Sequence, residues 1–87
     1  MLKDAYAATV DEVADMTWET WIRETNQDDD RRYDELMDTC EGKSVLEFGC
    51  GNGGFLRRIK NVAARVTGIE LMDAARENLT QEGISVY

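Results

Sequence analysis

Apolar positions in the second half of the chain form short runs that alternate with helical repeats. Runs at 45–48 and 64–69 have the length of buried strands, and 84–87 begins a third. Between the first two runs, apolar residues at helical spacing indicate a helix: Phe55, Leu56, Ile59, Val62 and Ala63. A second repeat precedes the third run: Leu71, Ala75 and Leu79. Strands that alternate with helices predict an α/β fold.

The first half of the chain carries two helical patterns. One face is formed by Tyr6, Val10, Val13, Ala14 and Trp21, and a shorter second face by Tyr33, Leu36, Met37 and Cys40. Gly42 is expected to end the second helix. Between the two patterns, residues 28–30 are all aspartate and precede Arg31 and Arg32, which predicts a linker that becomes a helix start. Consecutive aspartates in one turn point apart, so no metal site is expected.

Charge is distributed unevenly along the 87 residues, whose formal net charge is −8. Residues 1–42 hold 13 acidic and 4 basic side chains, a net charge of −9, whereas residues 43–87 hold 5 and 6, a net charge of +1. Nucleic-acid binding requires a basic surface that displaces counterions from phosphates. No nucleic-acid partner is therefore expected.

The composition also limits the cellular setting and the chemistry. No stretch of about 18 consecutive apolar residues is present, and Met1–Ala5 lacks the order of a signal peptide, so no membrane partner is expected. Cys40 and Cys50 form no C-x-x-C pair, which favours a reducing, cytoplasmic setting. The chain has no histidine, so cysteine–histidine or serine–histidine catalysis has no base.

A glycine loop follows the first predicted strand, Ser44 to Phe48. Residues 47–53 read E-F-G-C-G-N-G. Ligands of open parallel sheets bind beyond the carboxyl ends of the strands, so Glu47, the loop and Glu70 should face one crevice. The dinucleotide pattern G-x-G-x-x-G is also satisfied, with Glu70 about 20 residues further on, but that match alone is weak.

The same segment resembles the first motif of the class I S-adenosylmethionine-dependent methyltransferases, in which an acid lies two residues before a G-x-G-x-G loop. S-adenosylmethionine carries a sulfonium, an ammonium and one carboxylate, whereas a dinucleotide carries an anionic pyrophosphate. An acid at the strand end favours the former, and no Lys or Arg lies between Ser44 and Leu56. The resemblance implies a Rossmann-like methyltransferase fold, truncated to about three parallel strands. It would comprise an acidic helical segment, 1–42, and the first part of the cofactor-binding domain, 43–87.

The resemblance also implies roles for individual residues. Glu47 would hold the ammonium, the loop backbone would lie against the methionine part, and Glu70 would accept both ribose hydroxyls. Leu71 and Met72 would pack on the adenine, although Leu71 equally fits the start of the next helical stripe. Glu47 and Glu70 could instead be solvated strand-end acids. The candidate cofactor-binding residues are Glu47, Gly49, Cys50, Gly51, Gly53, Glu70, Leu71 and Met72.

The expected activity belongs to a longer protein. By resemblance, the complete enzyme would transfer a methyl group from S-adenosylmethionine to oxygen or nitrogen of a small-molecule substrate, and 87 residues alone should be inactive. No catalytic residue can be assigned. The alternatives are a fragment of an NAD-dependent oxidoreductase and a non-catalytic interaction module on the same scaffold. A homo-oligomer is also expected, because the first strand would lack its neighbour and expose an apolar edge.

Overall fold

The described structure, a computed structural model, covers residues 17–87. The helical face expected at Tyr6, Val10, Val13 and Ala14 lies outside these residues. Residues 17–87 contain six elements: α1 (Trp18–Cys40), β1 (Ser44–Phe48), α2 (Gly54–Ile59), β2 (Arg65–Ile69), α3 (Asp73–Gln81) and β3 (Ser85–Val86).

The three strands form one parallel sheet in the order β1-β2-β3. Leu46 pairs with Thr67, and Thr67 pairs with Ser85. Each crossover contains a helix, as parallel strands require. The alternation read from the sequence is therefore confirmed as an α/β architecture, and β1 is an edge strand of this sheet.

The prediction of a linker at residues 28–30 was wrong, because α1 is one helix of 23 residues that runs through them. Its N-cap is Thr17, whose side chain accepts a hydrogen bond from the backbone N–H of Thr20. The three aspartates are tolerated inside the helix because each lies beside an arginine. Asp28 pairs with Arg31 at 2.6 Å, Asp30 pairs with Arg58 of α2 at 2.8 Å, and the carboxylate of Asp29 lies 3.8 Å from Arg58.

The bounds of the other two helices differ from those that their apolar spacing predicts: α2 ends earlier, and α3 begins later. α2 ends at Ile59, and the N–H groups of Val62 and Ala63 both donate to the Ile59 carbonyl in the following turn. Leu71 lies before α3 and is 69% exposed, so it does not belong to the stripe that buries Ala75 and Leu79. The predicted end of the second helical pattern near Gly42 is confirmed, since α1 ends at Cys40 and Gly42 has a φ of +69°.

The three described helices contribute to one core, which includes Phe55, Leu56, Ile59, Leu79 and Ile84, and Tyr33 and Met37 of α1 pack against it. Alternation along β1 turns Leu46 and Phe48 to the same side of the sheet. There they are 53% and 75% exposed among the described residues. The homo-oligomer expected from this strand edge stays a prediction, which light scattering across a dilution series checks.

Within residues 17–87, no helix combines the length and apolar character that crossing a bilayer requires.

Candidate functional site

The glycine loop joins β1 to α2 through repeated left-handed backbone. Gly49, Gly51 and Gly53 have φ values of +66°, +57° and +76°. Such values are routine only for glycine, because a Cβ would approach the following carbonyl oxygen. At Gly53 space is limiting as well, since a Cβ there would overlap the buried side chain of Leu79. The G-x-G-x-G spacing is therefore required by the shape of the turn itself.

Glu70 closes the crevice from the end of β2. The side chain is buried, and its Oε1 accepts a hydrogen bond from the N–H of Gly51 at 2.9 Å. Oε2 accepts from the N–H of Met72 at 2.8 Å. The carboxylate thus ties the glycine loop to the segment that enters α3. A carboxylate has about four acceptor positions, so these two bonds leave it able to accept others.

Glu47, the acid at the end of β1, lies beneath α1. Its side chain is only 13% exposed, and Oε2 accepts a hydrogen bond from Arg32. Oε1 is buried and has no hydrogen-bond partner among residues 17–87. A buried carboxylate oxygen without a donor costs free energy, so Oε1 is an acceptor that residues 17–87 leave unused.

Helix α1 supplies the wall opposite the loop and borders an open cavity of about 170 Å³. The Trp21 ring lies against the loop: its Cζ2 atom would be 3.2 Å from a Cβ on Gly51. Trp18, which forms an edge-to-face pair with Trp21 at 5.7 Å, packs on the core. The cavity is lined by Trp21, Thr25, Asp28, Asp29, Arg32, Gly49, Cys50, Gly51 and Asn52.

Asn52 fixes the loop against α1, a role that the sequence did not reveal. Its side-chain amide donates to the carbonyl of Trp21 at 3.2 Å and to the hydroxyl of Thr25 at 2.8 Å. Its Oδ1 accepts from the N–H of Gly54 at 2.9 Å. The last contact is a local turn that an asparagine before a helix favours. The other two link residues far apart in the sequence, which no local pattern indicates.

Four of the five N–H groups of the glycine loop, residues 49–53, donate to acceptors within the protein, that of Gly51 to Glu70. Those of Gly49 and Cys50 donate to the Ile69 carbonyl at 2.7 and 3.1 Å, and that of Gly53 donates to the Cys50 carbonyl at 2.9 Å. At the start of α2, the Asp29 carboxylate lies against Gly54 so closely that a Cβ on Gly54 would overlap it. The position where a dinucleotide places its pyrophosphate is thus next to the protein's own negative charge.

Cys50 faces the interior between the loop and β2. Burial, together with the negative charges of Glu47 and Glu70, raises the pKa of the Cys50 thiol to about 11. Its Sγ would be 2.6 Å from a Cβ on Gly68 of β2, which shows how tightly it is packed. A thiol in this environment is a packing group and not a nucleophile.

The two cysteines should therefore differ in alkylation. At about pH 9 an unperturbed thiol is at least half ionised, whereas the Cys50 thiol should remain protonated and shielded. Cys40 is half-buried and should react with iodoacetamide first. Mass spectrometry of the modified peptides checks this order. Equal labelling of both cysteines in the folded protein would contradict the burial of Cys50.

The structure brings five of the expected site residues around the loop: Glu47, Gly49, Cys50, Gly51 and Glu70. Gly53 lies at the start of α2 and contacts Leu79 of α3. Leu71 and Met72 follow Glu70, with Leu71 exposed and Met72 partly exposed. Their contact with a cofactor, like that of the other residues, stays a prediction. The residues that sequence reasoning missed are Thr25, Asp28, Asp29, Arg32 and Asn52, and all but Asn52 come from α1.

No protein-family model matches the chain, and no curated protein matches it. Similar solved structures include three methyltransferases. The 23S rRNA methyltransferase ErmE is 26% identical with a TM-score of 0.50, over 66% of this chain and 27% of ErmE. An S-adenosylmethionine-dependent methyltransferase from Clostridium acetobutylicum ATCC 824 is 14% identical with a TM-score of 0.48, over 100% of this chain and 36% of that protein. SAM-bound CalS10, an amino pentose methyltransferase from Micromonospora echinaspora, is 26% identical with a TM-score of 0.43, over 94% of this chain and 33% of CalS10.

The likeness to ErmE and the parallel order β1-β2-β3 agree with the resemblance read from the glycine loop. The described residues have the fold of a truncated Rossmann-like methyltransferase domain. The chain spans 27% to 36% of the length of the three similar structures.

Proposed function

We propose that the chain binds S-adenosylmethionine and forms the N-terminal part of a methyltransferase. The observation that supports this choice over NAD is the Asp29 carboxylate at the start of α2. Together with the internally bonded N–H groups of Gly49, Cys50, Gly51 and Gly53, it makes this position less favourable for a pyrophosphate than for a group without negative charge. A cationic cofactor is compatible with the same charges, because Glu47 and Glu70 lie on either side of the loop.

The proposed roles assign the two acids that flank the loop, Glu47 and Glu70, to opposite ends of the cofactor. Glu47, whose Oε1 is buried without a partner among the described residues, would accept from the ammonium of the methionine part. Glu70 would accept from the ribose hydroxyls with the acceptor positions that its two backbone bonds leave open. Leu71 and Met72 would cover the adenine. Gly49, Cys50, Gly51 and Gly53 would provide the surface on which the cofactor lies.

The acceptor in the complete enzyme would be oxygen or nitrogen of a small molecule. ErmE is an rRNA methyltransferase, so the fold by itself does not select this class. The charge supports it: the chain carries a net charge of −8, and the cavity is lined by Asp28 and Asp29. An RNA gel-shift titration at low salt should therefore show no complex. A cytoplasmic location and the division of the chain at residue 42 belong to the same proposal.

Isothermal titration calorimetry tests the choice of cofactor. The full chain is titrated with S-adenosylhomocysteine, the demethylated product, and separately with NAD. We expect heat of binding with S-adenosylhomocysteine and none with NAD. Binding of NAD alone would support the oxidoreductase alternative. Binding of neither would support a non-catalytic interaction module on the same scaffold.

A further inference from the structure

Arg32 of α1 differs from the other arginines around the site in how few of its donors are used. A guanidinium has five N–H donors. Arg58 donates to Asp30, to Asn26 and to the carbonyl of Gly54. Arg32 makes one hydrogen bond among the described residues, to Glu47, and its distance to Asp29 is 3.8 Å, too long for a second. Most of its donors are therefore available to a ligand.

The guanidinium of Arg32 is held in position although it makes only one hydrogen bond among the described residues. It lies over the Phe55 ring, 4.7 Å from the ring centroid, in a cation–π contact. Its side chain is about one-third exposed and lines the cavity between α1 and the loop. The hydrogen bond with Glu47 raises the pKa of Arg32 above its usual value, so the group is charged at any accessible pH.

Residues 17–87 offer an anion in this cavity no positive side chain besides Arg32. Among the described residues that line it, Arg32 is the only cation, and Asp28 and Asp29 are acids. The backbone N–H of Gly51 is taken by Glu70. At about 170 Å³ the cavity is smaller than a typical ligand pocket, which suits the end of a ligand and not the whole of it.

We infer that Arg32 binds the carboxylate of the amino-acid end of the cofactor, an inference that rests on the proposed function. An α-amino acid carries an ammonium and a carboxylate on one carbon. Glu47 and Arg32 are an adjacent acid and base of opposite charge that pair with each other, and their charges are complementary to those of an ammonium and a carboxylate. Binding adds two contacts to that pair, with the ammonium on Glu47 and the carboxylate on the free edge of the Arg32 fork.

The two ligands that separate this role from general cofactor binding are S-adenosylhomocysteine and 5′-methylthioadenosine, which lacks the amino-acid end. Calorimetry with the full chain compares wild type, Arg32→Gln and Arg32→Lys. We expect Arg32→Gln to weaken S-adenosylhomocysteine binding about tenfold to a hundredfold and to leave 5′-methylthioadenosine binding unchanged. Arg32→Lys keeps the charge but loses the fork, so its loss should be smaller.

The matched control is Arg23→Gln, the same substitution on the same helix at an exposed residue whose one side-chain hydrogen bond among the described residues goes to the Thr20 hydroxyl. It should change neither affinity. An unchanged S-adenosylhomocysteine affinity in Arg32→Gln, or an equal loss for both ligands, would overturn the role of Arg32 and leave the proposed cofactor intact. If Arg32→Gln does not fold, Arg32→Lys decides by the same comparison. A wild-type chain that binds neither ligand would overturn both proposals.

Discussion

Replacing Gly53 by alanine is expected to lower the free energy of unfolding by about 2 to 5 kcal/mol. Two effects add. The residue has a φ of +76°, where a Cβ costs about 1 to 2 kcal/mol. The new methyl group would also overlap Leu79, which is fully buried, and overpacking of this kind costs about 1 to 3 kcal/mol.

Gly83→Ala is the matched control for Gly53→Ala. Gly83 has a φ of +85° but no atom within 4 Å of an added Cβ, so only the backbone cost of about 1 to 2 kcal/mol should appear. Equilibrium urea unfolding of both variants measures the difference. Equal losses would show that α3 shifts to accommodate the methyl group, and that the loop is not tightly packed against Leu79.

Removing the Glu70 carboxylate should impair both stability and binding. In Glu70→Ala the N–H groups of Gly51 and Met72 lose a charged acceptor, which should cost about 2 to 4 kcal/mol of unfolding free energy. If Glu70 also accepts from the ribose, the affinity for S-adenosylhomocysteine should fall further, by about 1.5 to 3 kcal/mol.

The control for Glu70→Ala is Glu77→Ala, an exposed acid on α3, which should stay within about 0.5 kcal/mol of wild type in unfolding. Urea unfolding and calorimetry on the same samples separate the two effects. Loss of stability with unchanged affinity would leave Glu70 as a residue that positions the glycine loop. Unchanged stability would contradict the two backbone hydrogen bonds.

The strands, the sheet and the glycine loop were predictable because their signals are local. Short apolar runs mark β1 and β2, and glycine is needed wherever the loop is left-handed. Helix ends were less accurate, since Val62 and Ala63 keep the helical spacing of α2 but pack from the turn that follows it. Spacing reports which residues are buried, and a turn can bury them as well as a helix can.

The α1 wall could not be predicted, because its contacts join residues distant in the sequence. Arg32 lies 15 residues before Glu47, and Thr25 lies 27 residues before Asn52. The sequence at 28–30 resembles a linker because it does not reveal that Arg58 of α2 lies beside these aspartates in the fold. Charge that is unfavourable by local rules becomes acceptable once a distant partner neutralises it, and here those charges form part of the candidate site.

Amide chemical-shift mapping of the uniformly ¹⁵N-labelled full chain can locate the cofactor as well as detect it. With S-adenosylhomocysteine, we expect shifts at Gly49–Gly54 and Met72 and at the α1 residues that face the loop, including Trp21. NAD should leave these amides unchanged. Shifts with NAD and none with S-adenosylhomocysteine, or shifts confined to α3 and β3 away from the loop, would contradict a methyltransferase cofactor site between α1 and the glycine loop.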